Sequence, residues 1–312
     1  MFVVEKDSWL PFVFAVRGST LPRIWRRLTV NVVFATLLTI AHVRFGLLAE
    51  ANVTTLPFTL IGFVLSIFLA FRINTAYDRY WEGRRLWGQL VNTCRTLARQ
   101  IQTLIGSGAA DASLTERRRR MVFLVMAFAH ALRMRLRQEE AMLADLESFL
   151  APGELEKLAE ERNRPNAIVH RLAELFDEAY RSGLIHPHHL VVLHQSLTSL
   201  TDIQGGCERI ANTPIPFAYQ VLLRRIVAVY SYALPFGVLE PLGLLTPVVV
   251  LMMSYAFYGL DALGEEIQEP FGNDPNDLPL SALCTTIEID LLQRLGEHEL
   301  PDPPTPYHGR LL

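Results

Sequence analysis

Three cysteines and nine histidines are the residues best equipped for chemistry in this chain of 312 residues. Cys94, Cys207 and Cys284 are odd in number and far apart. They make neither a disulfide framework nor a CxxC metal site, and read as reduced thiols in a cytosol-facing chain. His130, His170, His194 and His298 each stand alone, as core or surface histidines do. No Ser/His/Asp or Cys/His arrangement stands out, and no glycine loop could cradle a phosphate. A net charge of −3 gives nucleic acid no electrostatic footprint. The pattern that does stand out is apolar. Phe63, Ile67 and Phe71 lie at i, i+4, i+8, beside a small-residue row of Gly62, Ser66 and Ala70. Small residues at that spacing let helices approach closely in lipid. The bulky row then faces either lipid or the inside of a pore built from several copies, where apolar rings gate by dewetting.

The segment carrying these rows belongs to a membrane protein. Half of the residues are hydrophobic and mean hydropathy is +0.22, yet 20% are charged. That mixture predicts a few spans joined to a sizeable polar domain. Four segments could enter a bilayer: 28–43, 51–71, 226–239 and 241–260. The second and fourth reach the roughly 20 residues a span needs. The first is short, and its Asn31 and His42 predict contact with protein rather than lipid alone. The third is shorter and contains Pro235.

Basic residues orient these spans. Arg17, Arg23, Arg26 and Arg27 precede the first. Arg72, Arg79, Arg84 and Arg85 follow the second. Arg224 and Arg225 precede the third. All three clusters belong on the cytoplasmic side, with both termini. The opening MFVVEKDSWLPFVF lacks the order of a signal peptide. The expected organisation is an N-terminal cytosolic segment, 1–27; transmembrane helices 1 and 2, 28–71; a cytosolic helical domain, 72–218; transmembrane helices 3 and 4, 219–260; and a C-terminal cytosolic segment and tail, 261–312.

The middle region reads as helix throughout, with apolar residues at 3–4 spacing over 86–105 and 116–150. The RRRR run at 117–120 reads as a solvated helix start. The Pro-rich tail, LPDPPTPYHGRLL, reads as disordered or laid against the surface. No strands and no 30–50-residue repeats are expected, so the fold class is all-α. Nothing breaks the helix between Pro57 and about Ile105. At 1.5 Å per residue that predicts a helix about 70 Å long, more than twice the hydrocarbon thickness.

Three stretches carry a resemblance: FRINTAYDRYWEGRRLWG at 71–88, GGCERIANTPIPFAY at 205–219 and EEIQEPFGNDPNDLPL at 265–280. Together, and in this order, they resemble the bacterial branch of the bestrophin family over about Phe12 to Leu300. The resemblance implies a multi-pass homopentameric ion channel in the cell inner membrane, passing small monovalent ions, chloride or sodium, through one central pore. It implies an apolar neck at Phe63, Ile67 and Phe71, which puts the bulky row inside. It implies a lower constriction within SGLIHPHHL, at Ile185, His186, Pro187 and His188, where relatives place one aliphatic side chain. Five copies of HPHH near an axis would make a pH-sensitive or zinc-binding ring; otherwise these are exposed loop histidines. Animal bestrophins hold calcium at the third motif, and the matching acids are Glu266, Glu269, Asp274 and Asp277, although Asn273, Pro275 and Asn276 interrupt the acidic run. These acids alternatively cap helices and bind arginines such as Arg79. Tyr80, Trp81 and Trp87 suit an interfacial belt, and Arg72 and Arg79 suit pairing with Glu82 or Glu208. The rival expectation is a non-conducting membrane scaffold or accessory subunit. No residue along the neck chooses the sign of the ion.

Overall fold

The computed structural model describes residues 15–16, 18–46, 54–106, 112–306 and 311, without the side chains of 140–142. Arg17, most of the N-terminal segment and Tyr307–Arg310 of the tail lie outside the described residues. The described residues form helices and no strand. The helices are α1 (Leu21–Phe45), α2 (Leu56–Leu104), α3 (Ala112–Arg137), α4 (Glu154–Glu160), α5 (Arg164–Arg181), α6 (Pro187–Asn212), α7 (Phe217–Leu242), α8 (Thr246–Ile267) and α9 (Leu280–Leu295). Short 3-10 segments occupy Glu140–Phe149 and Gly243–Leu245.

Stretches 21–45, 56–104 and 217–267 are long and apolar enough to cross a membrane. The last is divided into α7 and α8 at Gly243, whose φ of 50° is the left-handed conformation glycine tolerates. Helix α2 has 49 residues without a break, which makes it about 74 Å long. It holds no proline after Pro57, so no backbone hydrogen bond is lost along its length.

The chain divides into two compact units, and α2 contributes to both. The membrane unit comprises α1, residues 56–80 of α2, α7 and α8. Its core is Ile24, Leu28, Leu65, Leu69, Val227, Leu234, Val250 and Phe257, with Tyr230 edge-on to Phe257. Glycines set the closest approaches. A Cβ at Gly62 would lie 2.6 Å from the Tyr230 hydroxyl, and one at Gly237 would enter the Phe58 ring. Asn31 is fully buried in α1 and donates from Nδ2 to Ser254 Oγ on α8 at 2.6 Å. A polar side chain inside lipid thereby finds a protein partner.

The helical unit comprises residues 81–104 of α2 with α3, α4, α5, α6 and α9. Helix α3 is its centre. Residues Met121 to Met134 are buried almost without interruption, as expected for a helix covered on all sides. Helix α5 is the opposite case. Ile168, Leu172, Leu175, Phe176 and Ala179 form one buried stripe, and Arg171 faces Glu174 and Glu178 outside it. Asn163 caps α5 by accepting from Asn166 N, and Pro165 occupies the first turn.

The RRRR run is more than a solvated start. Arg118 donates to the carbonyls of Ile105 and Gly106, just beyond the end of α2. Arg119 pairs with Glu297 at 2.6 Å and Arg120 with Glu154. Burial pushes the Glu154 carboxyl up, but the Ala151 amide, Arg120 and Arg171 together hold it below the usual carboxylate value. A carboxyl depressed in the folded state contributes stability above its unfolded pKa of about 4.3, and the contribution is lost as pH falls through the folded value. Glu154→Gln is therefore expected to lower the melting temperature by a few degrees at pH 7. The gap from wild type should close below about pH 4. Scanning calorimetry across pH checks this, and a gap that persists into acid would assign the loss to packing.

Candidate functional site

Helix α2 shows two faces in the membrane unit. Leu65, Leu69, Arg72 and Ala76 are buried, and Gly62 lies against Tyr230. Phe63, Ile67 and Phe71 are 66%, 41% and 61% exposed. The bulky row therefore points away from the rest of its own chain, while the leucine row carries the packing. Val64 and Phe68 flank the bulky row and are exposed as well. In the small-residue row only Gly62 is buried; Ser66 satisfies its hydroxyl on the Gly62 carbonyl at 2.8 Å, and Ala70 is exposed.

One residue after the row, Arg72 turns inward. Its side chain is buried and pairs with Asp261 on α8, not with Glu82 or Glu208. Glu82 pairs instead with Arg209, and Glu208 with Arg135. Arg224 on α7 stands 4.0 Å from the second Asp261 oxygen and 2.5 Å from Glu265. Asp261 thus ties α2, α7 and α8 together. Sequence reading missed it because the apolar segment was ended at residue 260. An acid directly following an uncharged apolar run was the available signal. Arg79, on the next turns of α2, donates from Nε to the Gln268 carbonyl at 2.9 Å.

The three unusual motifs meet in the helical unit around residues 82–87 of α2. A Cβ on Gly83 would lie 3.0 Å from the ring of Phe271, and one on Gly206 would lie 3.0 Å from Leu86. The Arg209–Glu82 pair adds a polar link. The motifs are therefore packing signatures. Trp87 belongs to this packing: it is 0% exposed and fills the core, which corrects its placement in an interfacial belt. Trp81 is exposed and carries Arg85 over its ring at 5.6 Å.

The residues read as a lower constriction separate. Ile185 is buried and its backbone bridges to Ile105, so its side chain belongs to the core of its own unit. His186, Pro187 and His188 are exposed at the start of α6. His186 is the N-cap; its ring accepts from the His188 amide at 3.4 Å, and its centroid lies 5.2 Å from that of His188 and 5.8 Å from that of His189. Helix geometry thus accounts for the local arrangement.

The acids read as a calcium set do not gather into a metal-binding group within one chain. Calcium takes six to eight oxygens, and among the described residues no group of three or more His, Cys, Asp or Glu could hold a metal ion. Within one chain the HPHH stretch likewise forms no such group. Glu266 is buried, with Arg23 at 3.9 Å, and Glu269 is exposed. Asp277 is buried and accepts from the Asp274 amide at 2.6 Å, while its own amide donates to the Asp274 carbonyl. These bonds close the turn at 274–277.

The profile of the family described as "Bacterial/Fungal Bestrophin protein" matches residues 1–293. The chain is a bestrophin. It is 38% identical over 302 residues to "Voltage-dependent anion channel-forming protein RSc3414" of Ralstonia nicotianae, covering 97% of each chain. It is 36% identical to "Voltage-dependent anion channel-forming protein YneE" of Escherichia coli K12, covering 96% of each. Among solved structures, a bacterial bestrophin homolog from Klebsiella pneumoniae superposes with a TM-score of 0.82 at 33% identity, over 88% of this chain and all of that one. This bestrophin is accordingly an all-helical, multi-pass membrane protein, and the relatives named here are called channel-forming proteins.

Proposed function

We propose that five copies of this bestrophin surround one axis and conduct small monovalent anions, with Phe63, Ile67 and Phe71 as an apolar neck. The observation that carries the reading is the two-faced α2. Its leucine row and Arg72 serve the fold, while the bulky row remains outside it. Five such rows facing inward make rings that pass ions when wet and block them when dry. The names of the relatives support an anion, chloride above sodium. The exposed His186, Pro187 and His188 at the start of α6 are the residues we place at a second narrowing. Arginine clusters at 23–27 and 224–225 support a cytoplasmic position for both termini and the helical unit, in a cell inner membrane.

Purified protein in planar bilayers tests the reading. Unitary currents are expected, with a reversal potential in a NaCl gradient on the chloride side of zero. Their absence across preparations that elute at pentamer size would leave the rival role of a scaffold.

A further inference from the structure

We infer that the neck row continues as a polar wall of the same conduction path, at Asn74, Asp78, Arg85, Gln89, Asn92 and Arg99, and that its three charges set the sign of the permeant ion. This rests on the reading that Phe63, Ile67 and Phe71 face a pore. At 3.6 residues per turn, all six lie within about 40° of Ile67 around α2. All six are exposed. The charges on this stripe differ from those beside it. Off the stripe, Arg72 pairs with Asp261, Glu82 with Arg209 and Arg95 with Asp290, and Arg79 is bound to a carbonyl; Arg84 is the exception. On the stripe, Asp78, Arg85 and Arg99 have no ion-pair partner among the described residues, and Arg85 only overlies Trp81. Apart from Arg84, helix α2 thus spends its other charges on the fold and leaves these three to whatever the stripe faces. One aspartate and two arginines leave a net charge of +1 per copy, which favours anions.

Coulomb's law sets the scale. Five unit charges about 10 Å from an ion in water, screened over a Debye length of about 8 Å, change its occupancy by about threefold. The same field acts on sodium with the opposite sign, so Arg85→Gln and Arg99→Gln should each lower the chloride-over-sodium permeability ratio about sevenfold, and Asp78→Asn should raise it about sevenfold. Reversal potentials in a NaCl gradient read this directly. A neutral position gives an independent test in case a charge variant does not fold. Asn92→Cys, treated with a cationic or an anionic thiosulfonate, should shift chloride current in opposite directions. The native thiols do not interfere. Cys94, Cys207 and Cys284 are buried, and burial pushes Cys207 and Cys284 up to about 12, so they stay protonated and unreactive. Glu160→Cys, exposed on α4, should show no response. Persistent currents with unchanged ratios and no response at Asn92→Cys would overturn the polar wall and leave the neck standing. Absence of current from the wild type would remove the pore and this wall with it.

Discussion

Ile67→Ala is expected to raise the open probability of the channel by about fivefold or more, with Phe63→Ala close behind. Each isoleucine trimmed to alanine removes three methyl or methylene groups. At about 0.8 kcal/mol each, that is roughly 2 kcal/mol of unfavourable contact with water per copy, or about 10 kcal/mol over five copies. Only part of this is felt as the barrier to wetting the neck. A tenth of it is about 1 kcal/mol, which is already about fivefold in an equilibrium. The exposure of both residues in their own chain means that neither substitution opens a cavity in the membrane core. Stability in detergent should therefore be unchanged, which separates a gating effect from a folding defect. Single-channel recording gives the open probability. Unchanged gating in both variants would turn the bulky row outward, to lipid.

Asp261→Asn is expected to be the most damaging single-atom exchange in the membrane unit. Asp261 is buried with Arg72, and Arg72 already has two nitrogens, Nε and Nη2, with no hydrogen-bond partner. Removing one partner of a buried pair costs about 3–5 kcal/mol, because the other charge stays behind without compensation. The neighbouring Arg224 loses its nearby carboxylate at the same time, although Glu265 keeps it partly neutralised. Thermal unfolding in detergent should show a loss of about 5–8 °C. Arg72→Met with Asp261→Leu should recover much of it, since replacing both charges with apolar groups is often neutral. A double variant no better than Asp261→Asn would mean that the pair sets a specific geometry for α2, and currents from the double variant would then show whether the bulky row has moved.

The helical class, the long α2 and the membrane segments were legible because their causes are local. An uncharged run of about 20 residues, a 3–4 apolar period and the absence of proline after Pro57 act over one or two turns. The bulky row was legible as a row for the same reason, since i, i+4, i+8 spacing fixes a face. Which face looks outward was open until Leu65, Leu69 and Gly62 were seen to pack within their own chain.

Other assignments depended on distant partners. Arg72 is an ordinary inner-boundary arginine by sequence, and its burial follows from Asp261, 189 residues away. Trp87 looked interfacial because tryptophan suits both a headgroup layer and a core, and only its burial separates the two. Ile185 was grouped with its exposed neighbours until the bridge to Ile105 placed it inside. The four acids shared a motif but took separate tasks, with Asp277 closing a turn and Glu266 buried near Arg23. By itself, then, the sequence determined that this protein is a membrane-embedded helical bestrophin with one unbroken long helix, because hydropathy and helical period are properties of adjacent residues. Tertiary structure alone decided which charges the fold consumes and which it leaves exposed on that helix, because a charge is committed only when a partner arrives from elsewhere in the chain.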